Sequence, residues 1–471
     1  MRQRLLITAG LLALLASGCT STHAAAPPRH PPVVMIVLDE FSTVSLLDAK
    51  GEIDPVRYPN FAALAHDGTW FPYATSSLDE TGRAMRSMMT GRTEWQFAPP
   101  TLGATPSNLF VALGRRYRIV DGEETSNFCP PRLCLGVQRP TKTRVLHELG
   151  GGRPERLASW LEHVKPSRKP TFYFKHMLLP HGPWVYLPNG DRYANGASEA
   201  ALTWDDWHYT RWLVDQDYQR HLLQVEFTDR LLGRALDRLR ALGLYDKSLI
   251  VVTADNGESF GRLGNGHEIS RQNAAEIALT PLLIKRPNED QATVVRRHVR
   301  ITDVLPTIAR IAHVPVGWHV EGRDLFGPAA KQIPTDTVMV QRDGDRITLS
   351  EAELHRRFQA SLHTKVKLFG DGDHTLFAIG PDPQLLGTHV SQPAARGRLH
   401  AVLDRPTGVK VSGRLTGPGA GRLHDLAIAV DGTIVATAPT VKHGLISAVI
   451  PERSGRVAVY EIEGQGRLRL L

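Results

Sequence analysis

The sequence predicts an α/β fold, a mostly parallel sheet with helices on both faces, followed by a small antiparallel β domain. Three observations predict it. Short, nearly continuous apolar runs alternate with amphipathic segments over residues 33–330, as strands buried on both faces require. After about residue 330 the pattern changes to period-two alternation punctuated by Gly and Pro. The 471 residues, 42% of them hydrophobic and 22% charged, suffice for one large core and a smaller one.

The N-terminal MRQRLLITAGLLALLASGC places two arginines before an apolar run from Leu5 to Ala16 and then small residues. This is the pattern of a secretory signal and is too short to span a bilayer. Its end, Ala16-Ser17-Gly18-Cys19, resembles a bacterial lipobox, although Ala16 stands where a larger aliphatic residue is usual. Residues 1–18 therefore read as a lipoprotein-type signal peptide, Cys19 as the lipidated mature N-terminus, and 19–32 as a Pro-rich tether. The expected location is the extracytoplasmic face of a bacterial membrane. There, Cys129 and Cys134 in NFCPPRLC suggest a small disulfide-closed loop. A metal site on the same two thiolates is the weaker reading, since no His lies close by in sequence.

In PPVVMIVLDEFS the apolar run Val33 to Leu38 ends on Asp39 and Glu40, as a buried parallel strand with carboxylates at its C-terminal end would. A helix-like PNFAALAHDG, a strand-like TWFPYAT and a helical run from Thr81 to Met89 follow. Further strands are expected at YRIVD (117–121), PTFYFKHMLL (170–179), SLIVVTAD (248–255) and TPLLIKRP (280–287). Leu222, Val225, Leu232, Leu236 and Leu239 recur at helical spacing and predict a long amphipathic helix over 218–242, with a shorter one at 303–313. Residues 331–397 read as a connecting region, and 398–471 as the β-rich domain, with an Asp431-Gly432 hairpin signal.

Two acidic clusters at strand ends, Asp39-Glu40 and Asp255-Asn256, carry the chemistry. Alone, an Asp after a strand is a cap or turn residue. Together the clusters form an oxygen-rich set suited to one Ca²⁺, Mg²⁺ or Mn²⁺. HMLLPHGPW supplies His176 and His181, the latter on an exposed loop, and GNGHE supplies His267. The net charge of +8 comes without a dense Lys/Arg block, which argues against nucleic acid and leaves a basic surface that attracts anionic substrates.

The ordered series IVLDE, YPNFAALAHDGTWFPYA, TGRAMRSMMTGR, PHGPW, VVTADNGESFG, TPLLIKRP, ITDVLPTIARI and VEGRDL resembles the sulfatase-like branch of the alkaline phosphatase superfamily over roughly 30–330. The resemblance implies that fold, with Asp39, Glu40, Asp255 and Asn256 as metal ligands. It implies His181 as a contact to the substrate's anionic group and His267 near the leaving group. Thr81 falls on the first position of the signature C/S-x-P-S-R-x(4)-T-G-R, where sulfatases carry the Cys or Ser that becomes formylglycine. Arg83 stands at the Pro position and Arg86 one residue beyond the Arg.

Formylglycine chemistry is therefore not expected. Relatives that transfer phosphoglycerol or phosphoethanolamine do use threonine, and a Thr81 oxygen beside a divalent cation suffices to form a covalent ester. Arg83, Arg86 and His181 would supply charge to the transferring group. A helix N-cap role for Thr81 is compatible with this. The expected activity is a metal-dependent hydrolase or transferase of sulfate or phosphate esters. Its substrate would be an anionic ester, such as one on a cell-envelope glycan or lipid. The alternative is a degraded enzyme kept as a cell-surface binding protein.

Overall fold

The computed structural model describes residues 30–76, 78–134, 152–192, 202–203, 206–207, 211–261, 266, 268–328, 336–340, 346–370, 375–390, 397–404, 409–451 and 454–471. The expected signal segment, Cys19, most of the expected tether and His267 lie outside the described residues. Among the described residues no helix is long and apolar enough to cross a membrane.

The expected strands form one sheet. Its members are β1 (Val33–Asp39), β2 (Thr69–Thr75), β3 (Arg118–Gly122), β4 (Thr171–Pro180), β5 (Leu249–Ala254), β6 (Leu279–Lys285), β7 (Thr293–Val294) and β8 (Val299–Arg300). The order is β8-β2-β6-β5-β1-β4-β3, with β7 also paired to β2. Every pairing is parallel except those of β6 with β2 and β5. β1 lies between β5 and β4, and all seven of its residues are buried.

Helices cover both faces. On one side α1 (Pro59–His66), α4 (Arg153–His163) and α5 (Arg211–Ala241) pack against Val34, Ile36 and Leu38. On the other, α2 (Thr81–Thr90), α3 (Leu109–Leu113) and α7 (Val304–Ile311) pack against Val33, Met35 and Val37. The alternation along β1 thus divides one strand between two cores, the reason its sequence is apolar throughout. The short α6 (Ala274–Ala278) leads into β6.

The long helix begins seven residues before its expected start, and it serves several neighbours. Asp229 accepts from the backbone N–H of Asn60 at 3.0 Å and of Phe61 at 2.8 Å, capping α1 from another element. Gln216 Nε2 and Arg220 Nη2 donate to Ser447 O at 2.6 and 2.8 Å, tying the sheet core to the C-terminal domain. The expected connecting region, 331–397, holds regular elements of its own. The strands β9 (Asp336–Val340) and β10 (Arg346–Ser350) pair there, and α8 (Glu351–Phe369) follows. Leu354, Phe358 and Leu362 of α8 enter the same core as β1, and Lys365 Nζ donates to Ser45 O at 3.2 Å. Their i, i+4, i+8 spacing carried this helix.

The C-terminal domain is antiparallel, as expected. One sheet runs β11 (His400–Leu403), β12 (Lys410–Thr416), β15 (Leu445–Val449). The other runs β14 (Thr433–Pro439), β13 (Asp425–Val430), β16 (Val457–Glu463), β17 (Arg467–Leu470). Val411, Ile428, Ile446 and Val459 share its core. Asp431 (φ 48°) and Gly432 (φ 80°) close the predicted hairpin, both in the left-handed region a two-residue turn uses.

Phe358 is buried and stacks edge-on to Tyr73, with ring centroids 5.4 Å apart. Phe358→Ala should destabilise the protein by about 3–5 kcal/mol, read as a lowered urea midpoint. An unchanged midpoint would show that α8 only rests on the core.

Candidate active site

The parallel strands β5, β1 and β4 end on one edge of the sheet, and their ends carry the predicted residues. Val37 of β1 is level with Thr253 on β5 and His176 on β4. Asp39 and Asp255 are therefore neighbours despite a separation of 216 positions, by the difference of their numbers. The backbone binds the two clusters directly. Glu40 N donates to Asp255 Oδ1 at 3.2 Å, and Phe41 N to Asn256 O at 2.7 Å. Asp255 Oδ1 also accepts from Asn256 N at 2.7 Å. Glu40 sits at φ 55°, an uncommon conformation for a residue with a Cβ, and these bonds hold it there.

Helix α2 points its N-terminus at the same edge. The expected helix is present, but its cap is Glu80 rather than Thr81: the Glu80 carboxylate accepts from Gly82 N and Arg83 N, both at 3.0 Å. That leaves the Thr81 hydroxyl for the cluster, and its Oγ1 donates to Asp39 Oδ1 at 3.3 Å. His181 reaches the cluster from the turn after β4, with Nε2 3.1 Å from Glu40 Oε1. Two buried side chains build that turn. Arg153 Nη1 donates to Leu178 O and His181 O at 3.0 and 2.6 Å, and Gln224 Nε2 donates to Pro180 O and His181 O, both at 2.9 Å.

The two arginines are engaged elsewhere. Arg83 is buried against Asp79 and Glu80 at 3.4 and 3.6 Å. Arg86, five residues past Thr81 and so about 140° around the helix, donates to Thr105 Oγ1 at 3.2 Å, Gln96 O at 2.9 Å and Glu94 Oε2 at 2.8 Å. The fold thus brings together Asp39, Glu40, Thr81, His181, Asp255 and Asn256, and it bonds both arginines to other partners.

A buried histidine joins them that sequence reasoning did not assign. A ring nitrogen of His176 lies within 4.8 Å of carboxylate oxygens of Asp39 and Asp255. Its Nδ1 meets Glu123 Oε1 at 2.7 Å and Thr125 Oγ1 at 3.1 Å. Glu123 Oε1 in turn accepts from the backbone N–H of Glu124, Thr125 and Ser126. The available signal was the Lys175-His176 pair inside an otherwise apolar strand, where ionisable groups are rare without partners. Cys129 and Cys134 form the expected disulfide.

Burial dominates the electrostatics. It raises the Asp39 carboxyl from 3.8 to about 7, with Glu40 adding to the rise and His176 opposing it. Burial and the nearby Asp39 push Asp255 well above its ordinary value. Burial alone would lower His176, but Glu123 outweighs it and holds the imidazole up at about 9. Burial likewise works against the Glu123 anion, yet His176 and the surrounding donors bring that carboxyl down to about 2.

The donor set fits a hard divalent cation. Asp255 Oδ2 and Asn256 Oδ1 are buried and accept no hydrogen bond from any described residue. The Asn256 amide is oriented, because its Nδ2 donates to Gly257 O at 3.0 Å. Two buried acceptors without donors are costly, and a cation between them and Asp39 satisfies both.

A parallel sheet with acidic and amide oxygens at its strand ends, facing a hydroxyl at a helix N-terminus, is the architecture of the alkaline phosphatase superfamily. The sulfatase family profile matches residues 31–314, more than half of the chain, and the chain belongs to the sulfatase family. Bovine arylsulfatase K is 21% identical over 231 residues, which cover 42% of this chain and 42% of that protein. The ulvan-active sulfatase of Formosa agariphila is 26% identical over 113 residues, covering 23% of this chain and 22% of that protein. The matches to these curated relatives thus span less than half of their length. Among solved structures, one holds its protein's substrate D-glucosamine-2-N,6-O-disulfate (TM-score 0.52, 16% identity, 68% of this chain and 87% of that one). Another is a Bacteroides fragilis protein assigned to the sulfatases (TM-score 0.52, 14% identity, 74% and 95%). At these identities the structures share the fold.

A Cβ at Gly257 would lie 2.1 Å from Glu276 O, so only glycine lets this turn present Asp255 and Asn256. Gly257→Ala should weaken divalent-cation binding by roughly tenfold or more, measured by calorimetry; unchanged affinity would show that the turn yields. The raised carboxyls mean that the folded, cation-free chain retains protons which the unfolded chain releases. With chelator present, this contribution destabilises the fold as pH rises from 3.8 through about 7, and a divalent cation reverses it. Asp39→Asn should then raise stability in EDTA at alkaline pH by roughly 1–4 kcal/mol while abolishing cation binding. Thermal unfolding with and without cation reads both, and an Asp39→Asn protein less stable than wild type in EDTA would contradict the argument.

Proposed function

We propose that the chain is an exported, divalent-cation-dependent hydrolase or transferase that moves a sulfuryl or phosphoryl group through a covalent ester on Thr81. The observation that carries this reading is the Thr81 hydroxyl, at the N-terminus of α2 and 3.3 Å from Asp39 Oδ1. A cation held by Asp39, Glu40, Asp255 and Asn256 would supply positive charge that favours the Thr81 alkoxide and offsets charge on the transferring group. The helix N-terminus adds its own positive potential at the same point.

In the first step Thr81 Oγ bonds to the sulfur or phosphorus, its proton passes to the Asp39 carboxylate, and the bond to the departing alcohol oxygen breaks. His181, partly exposed and paired with Glu40, contacts the anionic group, and His267 gives the alcohol oxygen its proton. In the second step water or an acceptor hydroxyl attacks the same central atom and gives its proton to His267, the bond to Oγ breaks, and Asp39 returns the proton to Thr81. Family membership supports sulfate esters, whereas threonine in the nucleophile position supports phosphorus. The signal-like N-terminus, with Cys19 as lipid anchor, supports an extracytoplasmic substrate such as an envelope glycan or lipid.

The test uses the full-length protein with aryl sulfate, aryl phosphate monoester and diester, each with Ca²⁺, Mg²⁺ and Mn²⁺. Thr81→Ala should lose about a thousandfold or more in kcat/KM, while Thr81→Ser keeps activity within about tenfold. Rapid quenching and mass spectrometry should find the transferred group on Thr81, and the ester that labels it identifies the chemistry. Wild-type turnover by Thr81→Ala would sink the proposal.

A further inference from the structure

His176 is fully buried on β4, and the mechanism above does not use it. Its Nδ1 is occupied by Glu123 and Thr125, at 2.7 and 3.1 Å. Its Nε2 is buried and has no hydrogen-bond partner among the described residues. The ring nitrogen and the carboxylate oxygens of Asp39 and Asp255 lie within 4.8 Å of one another. Ligand atoms on opposite sides of one ion, with bonds of about 2.0–2.4 Å, are at most about 4–5 Å apart. A carboxylate that takes one ring nitrogen of a histidine fixes the tautomer and aims the other nitrogen at a metal.

Charge balance favours the same arrangement. Nearby cations are already engaged: Lys175 and Arg156 pair with Glu124, Arg83 with Asp79 and Glu80, and His181 with Glu40. Asp39 and Asp255 form no ion pair with any described residue, although each is buried. A divalent cation neutralises both and leaves the Nε2 lone pair free to bind it.

We propose that His176 Nε2 is a ligand of the active-site cation, held in place by Glu123, so that the centre is a mixed oxygen–nitrogen site selecting Zn²⁺ over Ca²⁺. The inference rests on the cation-dependent reading above and adds a donor from β4 to the strand-end oxygens. Imidazole favours Zn²⁺, whereas an all-oxygen site favours Ca²⁺ and Mg²⁺.

Pulsed EPR on chelator-stripped, Mn²⁺-reloaded full-length protein tests the bond directly. Wild type should show ¹⁴N coupling from a coordinated imidazole. His176→Gln should lose it, with the fold checked by circular dichroism, while His181→Gln and His267→Gln should keep it. By competition titration His176→Gln should weaken Zn²⁺ binding about a hundredfold and leave Ca²⁺ within about threefold. Glu123→Gln should keep the coupling and weaken Zn²⁺ about 10–100-fold. Absence of ¹⁴N coupling in wild type, or its survival in His176→Gln, overturns the inference while a Thr81 adduct still upholds the proposed function. A wild-type protein that binds no divalent ion overturns both, and a ¹⁴N signal without any Thr81 adduct supports the metal site alone.

Discussion

Burying Asp39, Glu40 and Asp255 at one edge of a mostly parallel sheet sets the conditions that their surroundings have to meet. Parallel pairing puts the C-terminal ends of β5, β1 and β4 side by side, so Asp255, Asp39 and the β4 turn meet whatever their separation along the chain. Burial makes their ionised forms costly, as the raised Asp39 and Asp255 carboxyls show. An arrangement that is unfavourable alone becomes favourable once a cation is held there. The local strain at Glu40, the close approach at Gly257 and the orientation of Asn256 all serve to keep oxygen atoms pointed at that position.

Around this edge the supports form layers. Arg153 and Gln224 take the carbonyls of the turn that carries His181, so the histidine is fixed through its backbone. Glu123, gripped by three backbone N–H groups, fixes His176. Helix α5 contributes Gln224, caps α1 through Asp229 and anchors the C-terminal domain through Arg220. A single helix therefore couples the site to both cores. Several of its buried polar groups, Gln216, Gln219, Gln224 and Asp229 among them, bond to backbone groups of other segments, which helps the fold tolerate them.

Within the sulfatase family the chain departs at the first position of the family signature. A threonine hydroxyl stands where the family signature has Cys or Ser, and Glu80 rather than Thr81 caps the helix. The division of labour matters: because Glu80 satisfies the N-terminal amides, the Thr81 oxygen is directed to Asp39. Arg83 and Arg86, which by sequence offer charge to a substrate, are bonded to acidic partners and carbonyls on other sides of α2. What the described residues leave at the edge is an assembly of oxygens, the histidines His176 and His181, and the Thr81 hydroxyl.

Much of this was legible in the chain itself. Apolar runs ending on Asp39-Glu40 and Asp255-Asn256 announced strands and their carboxylates, since the period of burial is a local property. The Asp431-Gly432 turn and the amphipathic stripe of α5 are local in the same sense. Contacts between distant segments were not legible. That Glu123 would meet His176 follows from the pairing of β3 with β4, and that α8 would enter the main core follows from how its apolar face docks. Nor could α2 reveal which way each arginine turns, because Asp79 precedes it and Glu94, Gln96 and Thr105 lie in loops beyond it. Local patterns in the chain announce most of the strands and helices, the strand-end oxygens and the unusual threonine. Which side chains share the buried edge depends on the folded chain, because strand order and packing bring together segments far apart in sequence.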